Sequence, residues 1–435
     1  MNLLFSNDKR GHYPSSWYAA TASPLPPFAP LNGQTQADVC IIGAGFTGVS
    51  AALHLAKLGY DCVVLDAQRI GFGASGRNGG QLGMGQRMDQ RDLISLIGDQ
   101  NADLLWQMGL AAQDLVKDLI AAHDIGCYLK PGIAYLGNTK SDANDLRNYA
   151  DFLNMRYGGD HIHALDRDAG HALCPSPAYH GGLIDQKSAH LHPLRFVLGM
   201  AKAAIDLGVR FYEQSYVHAV RAAHGVHQVQ TDKGSVSAKH VVYAGNGYLG
   251  NLERKTASRV MPINNFIAAT EPLGDAINDV LAKDIAVADS KFVVNYFRLS
   301  HDGRLLFGGG ENYSYRFPKD IAQTVRKPML EIFPQLKDVK IDYAWGGTLG
   351  ITMRRMPFFS RLGQGEWSAS GYSGHGVGTA TQAGQLIANA IHGDSTGFDA
   401  MAQVPCLPFP GGSIAKTPLL VLAMTWYSLR DRFGI

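Results

Sequence analysis

The chain has 435 residues, 46% hydrophobic and 17% charged, enough for two or three domains with a large core. A net charge of +2 with interspersed signs and no polybasic run leaves no footprint for nucleic acid. Met1 to Lys9 carries only three consecutive apolar residues, so no signal peptide is expected. The five scattered cysteines (Cys40, Cys62, Cys127, Cys174, Cys406) lack C-x-x-C spacing and read as reduced thiols of a cytoplasmic protein, with neither a disulfide framework nor a metal site.

Residues 1–36 include Pro14, Pro24, Pro26, Pro27 and Pro30 and predict an extended arm lying across the surface. The apolar run Val39 to Ile42 predicts a buried strand. Gly43, Gly45 and Gly48 follow in G-x-G-x-x-G spacing, then a helix from Val49 to Leu58, then a strand from Cys62 to Leu65 that closes on Asp66. Each part has a physical task. Gly43 allows a tight turn, Gly45 lets backbone approach a pyrophosphate, and Gly48 lets helix pack on strand. The helix N-terminus offers N–H donors and partial positive charge to phosphates, and Asp66 is the expected acceptor for a ribose hydroxyl. A dinucleotide site is therefore expected over Gly43, Ala44, Gly45, Phe46, Thr47 and Gly48, with Asp66, Ala67 and Arg69 at its far side.

A nicotinamide domain would continue into an ordinary crossover helix. Here a Gly/Ser/Asn loop follows instead, with Gly73, Ala74, Ser75, Arg77, Asn78, Gly79, Gly80 and Gln81. Such a loop supplies backbone donors with little bulk, which suits an extended flavin. Further on, helices are expected over Asp99 to His123 and Asp142 to Met155, the second capped by Ser141, with a strand from Cys127 to Leu136 broken at Pro131-Gly132. A helix starting at Pro193 and a strand from Val209 to Tyr212 lead to Val217, and a strand from Val241 ends on Ala244 and Gly245. Strands around Pro262–Glu271, Phe292–Leu299, Arg304–Gly308 and Ile341–Trp345 predict an antiparallel sheet. A second glycine loop, Gly371 to Gly378, precedes a helix over Thr379 to Ile391 whose N-terminus is expected to point at the flavin. The apolar stretch Pro418 to Met424 with Trp426 and Tyr427 is too short to span a bilayer. It reads as a terminal helix packed on the protein or as a peripheral membrane or partner contact.

The run Arg69 to Gln81, Ser-Trp-Tyr at 16 to 18, Ala-Thr-Glu-Pro-Leu at 269 to 273 and Gly-Tyr-Ser-Gly-His-Gly-Val at 371 to 377 resemble the D-amino acid oxidase/sarcosine oxidase superfamily of FAD-dependent amine and amino-acid oxidoreductases. Within it the chain is most similar to γ-glutamylputrescine oxidoreductases, and the likeness covers nearly the whole chain. It implies a mixed α+β/α/β protein. A Rossmann-like FAD-binding domain of the GR2 type would take residues 37–90, 160–245 and 348–405. A substrate domain on an antiparallel sheet would take 91–159 and 246–347, leaving a tail over 406–435.

The resemblance also places the chemistry. Tyr372 and His375, with Gly374, Gly376, Val377 and Gly378, would stand at the flavin ring edge. Arg77 would either hold a substrate carboxylate or brace the flavin loops. Gly378 replaces a lysine of sarcosine-oxidase relatives, which argues against a simple α-amino acid. Glu271 would face a cationic amine or lie exposed on an edge strand; Trp345 and Tyr296 would wall the substrate or pack in the core. Gly347 stands where a cysteine tethers the flavin in sarcosine oxidases, so FAD is expected to be non-covalent. The expected reaction oxidises a CH–NH2 carbon of a small-molecule amine to an imine, which hydrolyses to aldehyde and ammonia. O2 or another electron acceptor would take the electrons. Oxidation of a secondary amine or N-methyl amino acid, and a non-catalytic flavin-binding assembly protein, are the alternatives. The oligomeric state stays open.

Overall fold

A computed structural model describes residues 2–223, 225–312 and 316–410; the predicted apolar tail around Pro418 to Tyr427 lies outside them. Two sheets form the framework. In the eight-stranded sheet, Glu366–Ser370, Gly234–Tyr243, Gly33–Ile42, Cys62–Leu65 and Arg210–Tyr212 run parallel in that order, with Phe358–Gly363 antiparallel at one edge. Alternation along Gly33–Ile42 explains its uninterrupted apolar end. Val39 and Ile41 pack toward the helices Phe46–Lys57, Pro193–Asp206 and Gly376–His392, while Cys40 and Ile42 pack toward the hairpin Val217–Ala223/Val226–Thr231.

The nine-stranded sheet runs in the order Ile341–Ile351, Met261–Thr270, Leu305–Asn312, Tyr296–Leu299, Ala286–Asp289, Lys130–Leu136, Gly182–His190, Gln81–Leu82, with Ile162–Leu165 also on Gly182–His190. It is antiparallel except where Ala286–Asp289 meets Lys130–Leu136 in parallel. Helix Ile321–Ile332 seals its outer face through Val325, Met329 and Ile332, packed on Phe266, Phe297 and Phe307.

Several expectations need correction. Ile162–Leu165 and Gly182–His190 belong to the second sheet, not to the parallel one, and Ile341–Ile351 runs through the expected boundary at 348. Pro131-Gly132 does not break its strand. The ladder shifts register between Pro131 and Ile133 and continues, a bulge that accommodates the missing proline N–H. Helix Lys140–Tyr157 is capped by Thr139 in a capping box with Asp142, two residues before Ser141. Helix Phe46–Lys57 starts directly after Gly45, earlier than Val49.

The largest correction is the arm. Its prolines flank a short helix, Trp17–Thr21, whose Trp17 and Tyr18 are 1% and 0% exposed. Trp17 packs on His192 and His301 and donates from Nε1 to Asp302 Oδ2 at 3.2 Å; Tyr18 packs edge-on against Trp345 at 5.1 Å. Residues 22–30 run along the surface without helix or strand, as expected, while the helix before them buries its two aromatic rings and plugs the core. All five cysteines are free, and among the described residues no helix is long and apolar enough to cross a membrane.

Candidate functional site

The parallel strands deliver their carboxyl ends to one place. Gly33–Ile42 ends at Gly43, Cys62–Leu65 at Asp66 and Gly234–Tyr243 at Ala244. These ends line a cavity of about 480 Å3, whose opposite wall comes from the second sheet through Gln81, Tyr135, Asn265 and Tyr296. Open α/β sheets bind ligands at that edge.

The three glycines divide their work. Gly43 has φ +108°, and a Cβ there would lie 2.9 Å from Ala244 O. A Cβ on Gly48 would lie 1.8 Å from Gly43 O, so this glycine permits helix–strand contact and does not itself line the cavity. Gly43 and Gly45 both line the cavity, and at Gly45 the nearest obstacle to a Cβ is a side-chain tip, the Ser75 hydroxyl at 2.8 Å. Ser75 Oγ accepts from Phe46 N at 2.8 Å and so ties the glycine loop to the helix N-terminus. Phe46, Thr47, Ala67, Gly73, Ala74, Asn78, Val217 and Gly245 complete this end.

Asp66 accepts from Ala44 N at 2.8 Å and Gln68 N at 2.7 Å, while burial raises its pKa to about 6. Ala44 itself is buried behind the wall and acts through that bond. Arg69 does not reach the cavity. It pairs with Glu213 at 2.7 Å and donates to Leu25 O at 2.6 Å, holding the N-terminal arm. Gly80 is also outside, with φ +76° and only 2.0 Å between its Cβ position and Leu191 O; Gly378 is packed against Leu82 and Ala112.

At the other end the two glycine loops meet. Tyr372 donates to Ala369 O at 3.0 Å. With that proton committed, the Thr47 hydroxyl is the donor in their 2.6 Å contact. Burial pushes the Tyr372 phenol well above its ordinary range. His375 caps helix Gly376–His392 by position but not by side chain. Its Nε2 faces Gly85 O at 3.2 Å, so Nε2 carries the proton and Nδ1 is bare. Burial, then the Arg87 charge, lowers its pKa to about 4. His375 is neutral at pH 7. Its folded value lies below the ordinary 6.5, so the stability it affects is complete above pH 6.5 and declines as pH falls toward about 4. His375→Gln is expected to flatten that decline, measured as denaturant midpoints at about pH 7 and about pH 5. Unchanged midpoint differences would refute the buried-neutral assignment.

Arg77 is 2% exposed and committed on several sides: Nε to Phe72 O at 2.6 Å, Nη1 to Asp8 at 2.9 Å and Gly346 O at 3.0 Å, and its plane 4.3 Å from the Phe72 ring centre. These contacts brace the loops, while Nη2 is buried without a partner among the described residues and Arg77 also lines the cavity. Trp345 sits behind it, donating from Nε1 to Arg77 O at 3.0 Å, and is core, not wall. Tyr296 does line the cavity. Its ring lies 2.6 Å from a Cβ position on Gly79, and its hydroxyl donates to Asn265 Oδ1. Glu271 lies away from the cavity and accepts from Lys340 N at 2.9 Å. Arg87, Arg355, Asn265 and Ser373 line the cavity without any motif in the sequence to mark them.

The donor set fits FAD: a pyrophosphate cradle lined by Gly43 and Gly45, Asp66 for a ribose, and two side-chain-poor loops meeting between Tyr296 and His375. Bound FAD would be held by Gly45, Phe46, Ser75 and Asp66 at one end and by Gly79, Gln81, Gly374, Gly376 and Val377 at the other. Asp66→Ala is expected to weaken FAD binding about tenfold or more, since it removes a charged acceptor and frees two amides; fluorescence titration of the apoprotein reads it. Among the described residues no cluster of three or more His, Cys, Asp or Glu could hold a metal.

Comparison with known proteins agrees. The family model described as FAD dependent oxidoreductase (DAO) matches residues 38–390. The chain is 42% identical over 418 residues to a probable oxidoreductase, OrdL, of Rhizobium meliloti, covering 96% of this chain and 97% of that one. It is 40% identical over 423 residues to the γ-glutamylputrescine oxidoreductase of Escherichia coli, covering 97% and 99%. The crystal structure of glycine oxidase from Geobacillus kaustophilus shares the fold at TM-score 0.72 and 19% identity, over 85% of this chain and 99% of that one. The chain belongs to the FAD-dependent oxidoreductase family typified by these enzymes.

Proposed function

We propose that the protein oxidises the terminal primary amine of γ-glutamylputrescine, or of a closely similar extended amine, at a non-covalently held FAD. The observation that carries this reading is the 40% identity, over nearly both whole chains, to the Escherichia coli enzyme of that name. FAD supplies the two-electron acceptor. The chain's own residues orient the amine and keep water out: Tyr296 is pinned by Asn265, Tyr372 by Thr47 and Ala369, and His375 by Gly85. A neutral His375 adds no positive charge beside the amine. The imine product hydrolyses to aldehyde and ammonia. No cysteine lines the cavity, which supports non-covalent attachment, and five free thiols agree with a cytoplasmic setting. We take O2 as the electron acceptor, with hydrogen peroxide as its product.

The test is the visible spectrum of the anaerobic holoenzyme before and after γ-glutamylputrescine is added. Bleaching of the flavin bands is expected, with recovery on admitting air. A spectrum that stays yellow removes the substrate, and bleaching without recovery in air assigns another acceptor.

A further inference from the structure

Past the loop Gly371 to Gly378, the cavity holds two cations that amine oxidation does not use. Arg87 donates from Nε to Ser373 O at 3.1 Å, and Arg355 stacks its guanidinium 5.1 Å from the Phe292 ring centre. Both line the cavity. Arg87 is half-buried and lines that space.

The two are built onto one support. Ser373 N donates to Gly350 O at 2.9 Å, and Ser373 Oγ accepts from Thr352 N at 3.3 Å. Arg355 N donates back to Thr352 O at 3.1 Å and adopts φ +65°, a conformation residues other than glycine rarely take. The turn that carries Arg355 is thus fastened to the loop that holds Arg87.

Among the described residues their charges meet no carboxylate. Buried Arg69 and Arg77 are each matched by a carboxylate, Glu213 and Asp8. Arg298 spends its donors on Gly79 O, Leu299 O, Leu191 O and the Tyr18 hydroxyl. Arg87 spends one donor on a carbonyl, and neither Arg87 nor Arg355 meets a carboxylate among the described residues. The acids of the same cavity are engaged elsewhere. Asp89 and Asp145 pair with Arg91 at 2.7 and 2.9 Å, and Asp289 accepts from Asn295 N and Nδ2 and from Lys291 N. Burial first, and then the Arg355 charge, lower the Arg87 pKa to about 10.

Two guanidiniums cannot face the ammonium of an amine substrate, and a plain diamine would bring a second ammonium against them. We propose that Arg87 and Arg355 clamp a carboxylate carried by the substrate away from the carbon that is oxidised. The proposal rests on the reading of an extended amine substrate, and the α-carboxylate of a γ-glutamyl group supplies the required anion. It makes the site selective for acylated diamines bearing a carboxylate over free diamines.

The test uses two inert amides on the FAD-loaded enzyme, with affinity read as perturbation of the flavin absorbance. N-butylglutaramate carries the carboxylate and no amine; N-butylpentanamide carries neither. The wild type is expected to prefer N-butylglutaramate, and Arg355→Met and Arg87→Met are each expected to weaken it about tenfold or more while leaving N-butylpentanamide unchanged. Equal affinity for both amides in the wild type, or equal losses for both in the variants, overturns the clamp. Loss of FAD from Arg87→Met would assign that residue to the cofactor and overturn its part, with Arg355→Met still testing the other half. Arginine-dependent binding of N-butylglutaramate in an enzyme that γ-glutamylputrescine does not bleach would sink the substrate reading and leave the clamp standing.

Discussion

Gly48→Ala is expected to yield no stably folded protein, whereas Gly45→Val is expected to fold and to lack flavin. The two glycines stand three residues apart in one motif, yet they face different neighbours. A Cβ on Gly48 would sit 1.8 Å from Gly43 O and 3.2 Å from Ile41 Cγ2. The obstacle is backbone, and that backbone is fixed: Gly43 donates to Leu65 O at 2.8 Å and presses on Ala244. Relief requires the helix Phe46–Lys57 to leave the central strand, with Val49, Ala52 and Leu53 torn from the core. A loss above about 4 kcal/mol follows, in the range reserved for gross overpacking. At Gly45 the nearest atom is the tip of Ser75, which can rotate at the cost of one hydrogen bond, about 1 kcal/mol. The branched side chain then fills the space a pyrophosphate needs. Circular dichroism and flavin content of the soluble protein separate the outcomes. A folded, yellow Gly48→Ala protein would refute the packing argument, and a yellow Gly45→Val protein would refute the cradle.

Arg77→Met is expected to cost about 3 kcal/mol or more and to release FAD, with no preference among amine substrates. Removal leaves Asp8 without its partner, deprives the carbonyls of Phe72 and Gly346 of their donor, and unstacks Phe72. Lysine cannot replace a planar fork that meets partners on several sides, so Arg77→Lys should rescue little. Denaturant titration and flavin retention after gel filtration check both statements. A variant that keeps its stability and flavin while losing affinity only for carboxylate-bearing ligands would reinstate Arg77 as a substrate-binding residue.

The nucleotide end was legible because its information is local. Gly43, Gly45, Gly48 and Asp66 lie within one strand–helix–strand unit, and each glycine's task follows from its neighbours in the chain. The loops around Ser75 and His375 were legible by composition, since a long side-chain-poor loop has few other uses. The second sheet was harder. Gly182–His190 pairs with Lys130–Leu136 and Ile162–Leu165, partners that no turn signal connects, so the boundary near 160 fell in the wrong place. Glu271 looked like an amine partner only while the fold of its strand was unknown, and Trp345 changed from wall to support once Arg77 came to lie in front of it. Arg87 meets Ser373 across 286 positions, and Ser373 in turn is bonded through Thr352 to the turn of Arg355, a meeting no periodicity reports.

The buried helix of the arm bears on how the chain is made. Trp17 and Tyr18 leave the ribosome well before their partners, since Trp17 bonds a residue 285 positions later and Tyr18 one 280 positions later. Until most of the polypeptide has emerged, two large aromatic rings have no lasting place to go. A segment synthesised early is thus secured late, after the strands and turns that hold its rings have been made. Asp8, on the same segment, carries that delay to Arg77 and so to the flavin loops.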